Sequence, residues 1–176
     1  MYFFRNLIFT FFALIFSLSC LAGPDVNINQ ESFSYILPGE WEMFKQNEDS
    51  GFKHYAFYNE QTDIMIELSV SEWLDSSKFQ VVKQAFTNDI GKDKPQLKMK
   101  AVSHRVVEII PYGKVDEDIY QSTKGDYKHI SYNLYNKSHI ALITFTLQKN
   151  KPNMIDTIRP LLLGFKWKEV INSVHP

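Results

Sequence analysis

The sequence predicts an α+β fold: one domain in which an antiparallel β-sheet is flanked by two helices. Three observations carry that expectation. Ile64, Ile66, Leu68 and Val70 recur at period two, the spacing of a strand with one buried face. Phe79, Val82, Phe86 and Ile90 recur at helical spacing. Short apolar runs separated by Gly, Pro and Asn then fill the rest of the chain, with no repeat, low-complexity tract or linker to divide it.

Taken in order, residues 23–32 are polar and without period, and read as a lead-in to a domain over 33–168. Phe33–Leu37 is a strand running into the Pro38-Gly39 turn. Trp41–Lys45 and Lys53–Asn59 are strands on either side of a polar turn over 47–51. Ile64–Val70 follows. Ser76-Ser77 offers an N-cap and Gly91 a C-cap for the first helix. Leu97–Ile110 mixes β-branched residues without a clean period; it is assigned to strand, with helix the alternative. Pro111–Asp118 is expected to be a loop with an acidic tip at Asp116-Glu117-Asp118.

Three more strands are expected at about 119–123, 127–135 and 139–147. The last two form a hairpin about Asn136-Lys137. A two-residue loop there pairs Tyr135 with Ser138, which sets His129 opposite Thr144 and His139 opposite Leu134. The second helix begins near Lys151-Pro152 and runs through Ile158, Leu161 and Leu162 to Gly164, with Pro160 removing a backbone donor inside it. Phe165 and Trp167 pack its exit, and residues 169–176 form a tail.

The first 22 residues have a different character. Arg5 precedes an apolar run from Leu7 to Phe16, and small residues follow up to Ala22. That order is expected of a secretory signal peptide, and the run is short for a membrane span. Cleavage after Ala22 would release the rest to the periplasm or outside. The alternative is a lipoprotein anchored at Cys20, but Ser17 and Leu18 stand in the wrong order for a lipobox. Cys20 is the single cysteine, so cleavage leaves no disulfide, thiol nucleophile or thiolate ligand. A net charge of −1 without a basic block argues against nucleic acid or anionic lipid as a partner, and a membrane partner is expected only if Cys20 is lipidated.

Leu37-Pro38-Gly39-Glu40-Trp41 near the start of the domain, and the Pro-initiated helix followed by Gly164-Phe165-Lys166-Trp167 at its end, resemble the PsbP-like α/β family, whose exported bacterial members include DcrB-like proteins. The resemblance spans about residues 33–167. It implies an antiparallel sheet flanked by helices, no catalytic residues, and a role in binding other macromolecules. Periplasmic immunity proteins that neutralise toxins delivered by type VI secretion are similar in outline. A fold does not by itself transfer function.

Residue chemistry adds little. The five histidines form no i, i+4 pair and no HExxH run, so no metal site is expected. Asp116-Glu117-Asp118 lacks EF-hand spacing, since neighbouring acids cannot all face one cation. No GxSxG elbow or phosphate-cradling glycine loop is present, and no cofactor is expected. The expected function is an exported, non-catalytic domain that binds another protein, in one version an immunity protein neutralising a secreted toxin. In that version the acidic loop Asp116, Glu117 and Asp118, with Tyr112 and Tyr120 beside it and Trp73 exposed before the first helix, meets the partner. The alternative is an envelope-maintenance or small-ligand-binding protein.

Overall fold

Two antiparallel sheets share one core in the computed structural model, which describes residues 25–49, 51–71, 91–150 and 154–168 and the single helical positions 81, 84 and 88. The strands are β1 (Val26–Asn29), β2 (Phe33–Leu37), β3 (Glu42–Asp49), β4 (Phe52–Asn59), β5 (Ile64–Ser71), β6 (Met99–Ile109), β7 (Gly113–Ser122), β8 (Tyr127–Tyr135), β9 (Ile140–Gln148) and β10 (Phe165–Trp167). A 3-10 turn, Pro95–Leu97, precedes β6, and helix α1 spans Met154–Leu163. The large sheet has the order β3-β4-β5-β9-β8-β7-β6, and the small one β1-β2-β10.

Alternation decides which face of the large sheet is dry. Ile64, Ile66, Leu68 and Val70 pair across β9 with Leu147, Phe145, Ile143 and Ala141, and all eight are buried. The small sheet covers them. Tyr35 meets Phe57 edge-on, with ring centroids 5.9 Å apart, and Phe33 meets Tyr55 at 6.2 Å. Helix α1 contributes Ile158, Leu161 and Leu162, spaced to share one face, while Asp156, Thr157, Arg159 and Pro160 stay exposed. Each of the larger buried side chains removes apolar area worth about 1.5–3 kcal/mol from water.

Gly164 joins α1 to β10 because only a residue without a side chain fits there. A Cβ at this position would lie 2.1 Å from the Ile36 carbonyl oxygen. The Gly164 carbonyl accepts a hydrogen bond from Ile36 N at 3.1 Å, which draws β10 onto β2. Phe165 is then fully buried, 5.5 Å from Phe33 and 4.9 Å from Trp167 between ring centroids.

Several sequence expectations change. The lead-in over 23–32 contains β1, which pairs with β2 although only Ile28 of its four side chains is buried. Phe165–Trp167 is a strand rather than an exit segment, so there are two sheets and not one. The Leu97–Ile110 segment is mostly strand, as assigned. Of the two flanking helices, the second is α1; the first, expected over 76–91, lies outside the described residues except at positions 81, 84 and 88, which are helical.

The β8–β9 hairpin is offset by two residues from its expected register. Tyr135 pairs with Ile140, and His129 stands opposite Thr146. The cause is Asn136, whose Oδ1 accepts hydrogen bonds from the backbone N–H groups of Ser138 (2.9 Å) and His139 (2.7 Å). That side chain captures two donors the ladder would otherwise use and lengthens the loop to 136–139.

The largest correction concerns residues 111–118. Only the turn around the cis Ile110–Pro111 bond is irregular; from Gly113 onward the chain is β7, paired with β6 on one side and β8 on the other. The acidic run is therefore the middle of an interior strand. Asp is depleted from strands, which makes the run look like a loop, but Val115, Glu117 and Ile119 keep period two and face the core.

Candidate functional site

The second face of the large sheet is polar and ordered in cross-strand rows. Lys45, Ala56, Glu67, Thr144, Ser131, Asp118 and His104 are successive partners across all seven strands. Rows on either side contain His54 with Ser69, and His129 with Thr146. Each of these three histidines bonds a neighbour on the next strand through Nδ1: His54 to Ser69 Oγ (2.8 Å), His129 to Thr146 Oγ1 (3.0 Å) and His104 to Asp118 Oδ1 (3.0 Å). Ser131 Oγ and Thr144 Oγ1 are 3.0 Å apart in the central row.

Toward β6 and β7 the rows become charged. Asp118 is buried, and burial raises its carboxyl pKa; the bond and charge of His104, the Gly91 amide and Lys94 oppose the rise. Asn133, also buried, sets its amide nitrogen 3.5 Å from Asp118 Oδ2, and its Oδ1 has no partner among the described residues. Lys94 places its ammonium 4.7 Å from the Tyr120 ring centroid, a cation–π contact. Burial, with Lys94 nearby, lowers the pKa of His129. On the opposite face Glu117 accepts from Arg105 Nε at 2.5 Å and from the Tyr132 hydroxyl at 2.7 Å. Burial first, and then the Glu117 carboxylate, push the Tyr132 phenol well above its usual range.

Of the six residues expected to meet a partner, the five that lie among the described residues are thus not brought together. Glu117 and Asp118 point to opposite faces and are 4% and 2% exposed, and Tyr120 is 4% exposed. Asp116 is half-buried, opposite Val106 and Asn133. Tyr112 is half-buried; its hydroxyl donates to the carbonyls of Leu162 (2.9 Å) and Phe165, and burial pushes its pKa up to about 12. It serves to tie the β6–β7 turn to α1. Trp73 lies outside the described residues.

An imidazole held by a carboxylate through Nδ1 is the arrangement that orients a general base. Here Ser131 is the cross-strand neighbour of Asp118 on the side away from His104, so it does not face Nε2 of that imidazole. Ser131 bonds Thr144 instead. Among the described residues no three His, Cys, Asp or Glu side chains gather as a metal-binding group.

What stands in solvent at this end is apolar. Val102, Val106 and Ile110 are 57%, 58% and 80% exposed along β6 and the turn after it. Strand β6 is the outermost of the large sheet among the described residues, and a bulge between Ala101 and Ser103 sets Val102 out of register. These residues escape a sequence reading because Leu97–Ile110 has no clean period, and an exposed Val looks the same as a buried one in sequence.

The architecture matches solved structures. The structure superposes on the solution structure of cyanobacterial PsbP (CyanoP) from Synechocystis sp. PCC 6803 with a TM-score of 0.58, covering 84% of this chain and 94% of that one. The fold is PsbP-like. Identity to CyanoP is 10%, so the likeness extends to the fold alone. A crystal structure from Bacteroides thetaiotaomicron matches with a TM-score of 0.53 and 16% identity; the PsbP-like chain described here covers 49% of that protein with 84% of its own length. No protein-family model and no curated protein matches the chain.

Proposed function

We propose that this PsbP-like domain is an exported, non-catalytic module that binds another protein along the β6 edge. The observation that carries the reading is the apolar stripe of Val102, Val106 and Ile110 along β6 and the turn after it, β6 being the outermost strand of the large sheet among the described residues. Such a strand offers backbone donors and acceptors for an added strand, and the stripe supplies alternate side-chain contacts. Arg105, 53% exposed at its side chain, and Glu108, also exposed, give the rim both signs of charge. The opposite edge, β3, also exposes Met43 and Phe44, but half of its eight residues are charged (Glu42, Lys45, Glu48 and Asp49), a content that discourages edge pairing.

Export is supported by the leader-like residues 1–22, and the absence of catalysis by the internal use of the charged groups: His104 by Asp118, and Arg105 and Tyr132 by Glu117. Neutralisation of a secreted toxin is the specific form this binding takes in our reading, and a toxin gene beside this one is what it expects. The test is affinity capture from periplasmic extract with the wild type and with a Val102→Lys/Val106→Lys variant. A partner retained by the first and lost by the second supports the β6 edge. Equal retention by both removes that edge from the account.

A further inference from the structure

A cleft of about 410 Å³ opens at the far end of strands β8 and β9, lined by Gly125, Asp126, Tyr127, Gln148, Lys149 and Asn150. Its size falls within the roughly 300–1,000 Å³ of small-molecule sites. It lies on the polar face, at the sheet end opposite the β6–β7 turn, because Tyr127 and Gln148 are register partners. We propose that this cleft binds a neutral saccharide, which would stack on Tyr127 and bond the surrounding amides.

Three features make the cleft a built site. The first is a hydrogen-bonded row that fixes Gln148: its Nε2 donates to Asp63 Oδ2 at 2.6 Å, and the Tyr58 hydroxyl donates to Asp63 Oδ1 at 3.0 Å. Asp63 adopts φ +52, a left-handed conformation that costs energy for a non-glycine residue and is held here by two side-chain bonds. With one N–H committed to Asp63, Gln148 presents a positioned carbonyl acceptor and a second N–H donor.

The second is the ring of Tyr127, 49% exposed at the cleft. Gly125 lies close against it, and a Cβ at Gly125 would come within 3.3 Å of the ring. The loop is also anchored from both sides. Thr123 donates to the Lys98 carbonyl through N (2.8 Å) and Oγ1 (3.0 Å), and Lys149 N donates to the Asp126 carbonyl at 2.5 Å. An anchored wall loses little freedom when a ligand arrives.

The third is the balance of chemistry. Asp126 and Lys149 contribute one charge of each sign, and Gln148 and Asn150 contribute amides that both donate and accept. Vicinal hydroxyls need this mixture, since each both gives and takes a hydrogen bond. The C–H face of a pyranose ring meets the electron-rich face of an aromatic ring. A strongly anionic or cationic ligand would find one of the two charges opposed to it.

Saturation-transfer NMR on the purified protein tests the proposal, with maltose and N,N′-diacetylchitobiose as neutral probes and citrate and choline as charged ones. Transfer to the ring protons of at least one saccharide is expected, with none to citrate or choline. Tyr127→Ala weakens the saccharide about tenfold or more, whereas Tyr127→Phe retains it. Because Tyr127 is half-exposed, its truncation leaves the core intact, and an unchanged melting curve checks this. Binding of neither saccharide overturns the proposal, as does undiminished binding by Tyr127→Ala. Selective binding of citrate or choline replaces the ligand class.

Discussion

Removing Arg105 should cost far more stability than its exposure suggests, because of the carboxylate it leaves behind. The Glu117 side chain is 5% exposed, and its partners are Arg105 Nε and the Tyr132 hydroxyl. Arg105→Met leaves a buried carboxylate with one neutral donor. Breaking a fully buried pair costs about 3–5 kcal/mol, and an exposed pair about 0.2–1 kcal/mol. With the Arg105 side chain 53% exposed, water screens the pair and the expected loss is about 2 kcal/mol. Glu117→Met frees Arg105 to swing into solvent and orphans only the Tyr132 hydroxyl, at about 1 kcal/mol. The double variant should also cost about 1 kcal/mol, well short of the sum of the singles. Urea denaturation with matched m-values measures all three. A loss below about 0.5 kcal/mol for Arg105→Met would refute the reasoning and return Glu117 to the pool of residues free to meet a partner.

Other outcomes follow from the same geometry. Gly164→Ala places a methyl 2.1 Å from the Ile36 carbonyl and should cost about 2–3 kcal/mol through overpacking and a weakened β2–β10 junction, read by denaturant midpoint. The folded pKa of His129 lies below 6.5, so on acidification the unfolded chain binds that proton first and stability falls as pH drops below about 6.5. Asp118 has the opposite sign: its folded pKa lies above 3.8, so its protonation adds stability as pH falls toward 3.8. Melting temperature against pH should therefore lose its decline below 6.5 in His129→Gln and keep it in Asp118→Asn; the reverse pattern would contradict both assignments. Asp118→Lys, a surface change if the acidic run were a loop, should instead unfold much of the protein, because it buries a second cation beside Lys94.

How far the sequence could be read depended on how local each signal is. Strand β5 was legible because it lies inside the large sheet between β4 and β9, with one face in the core, so its alternation survives intact. Helix α1 was legible from Ile158, Leu161 and Leu162. The small sheet was not, since β2 must pair with β10 across about 130 residues and β1 buries only Ile28. Strand β3 gave a partial signal because none of its side chains is buried. For β7 composition misled: three adjacent acids outweighed the alternation of Val115, Glu117 and Ile119, and the partners that make those acids tolerable, Arg105, Tyr132 and His104, lie on other strands. The saccharide cleft has no sequence signature at all. It exists because the register sets Tyr127 beside Gln148 and brings Asp63 within reach of both Gln148 and Tyr58.

The β6 edge is tested most directly by amide hydrogen exchange on the domain with and without its captured protein partner. Binding there predicts slowed exchange across residues 102–110, with 42–49 on the far edge unchanged. Protection confined to 42–49, or to the small sheet, would contradict it.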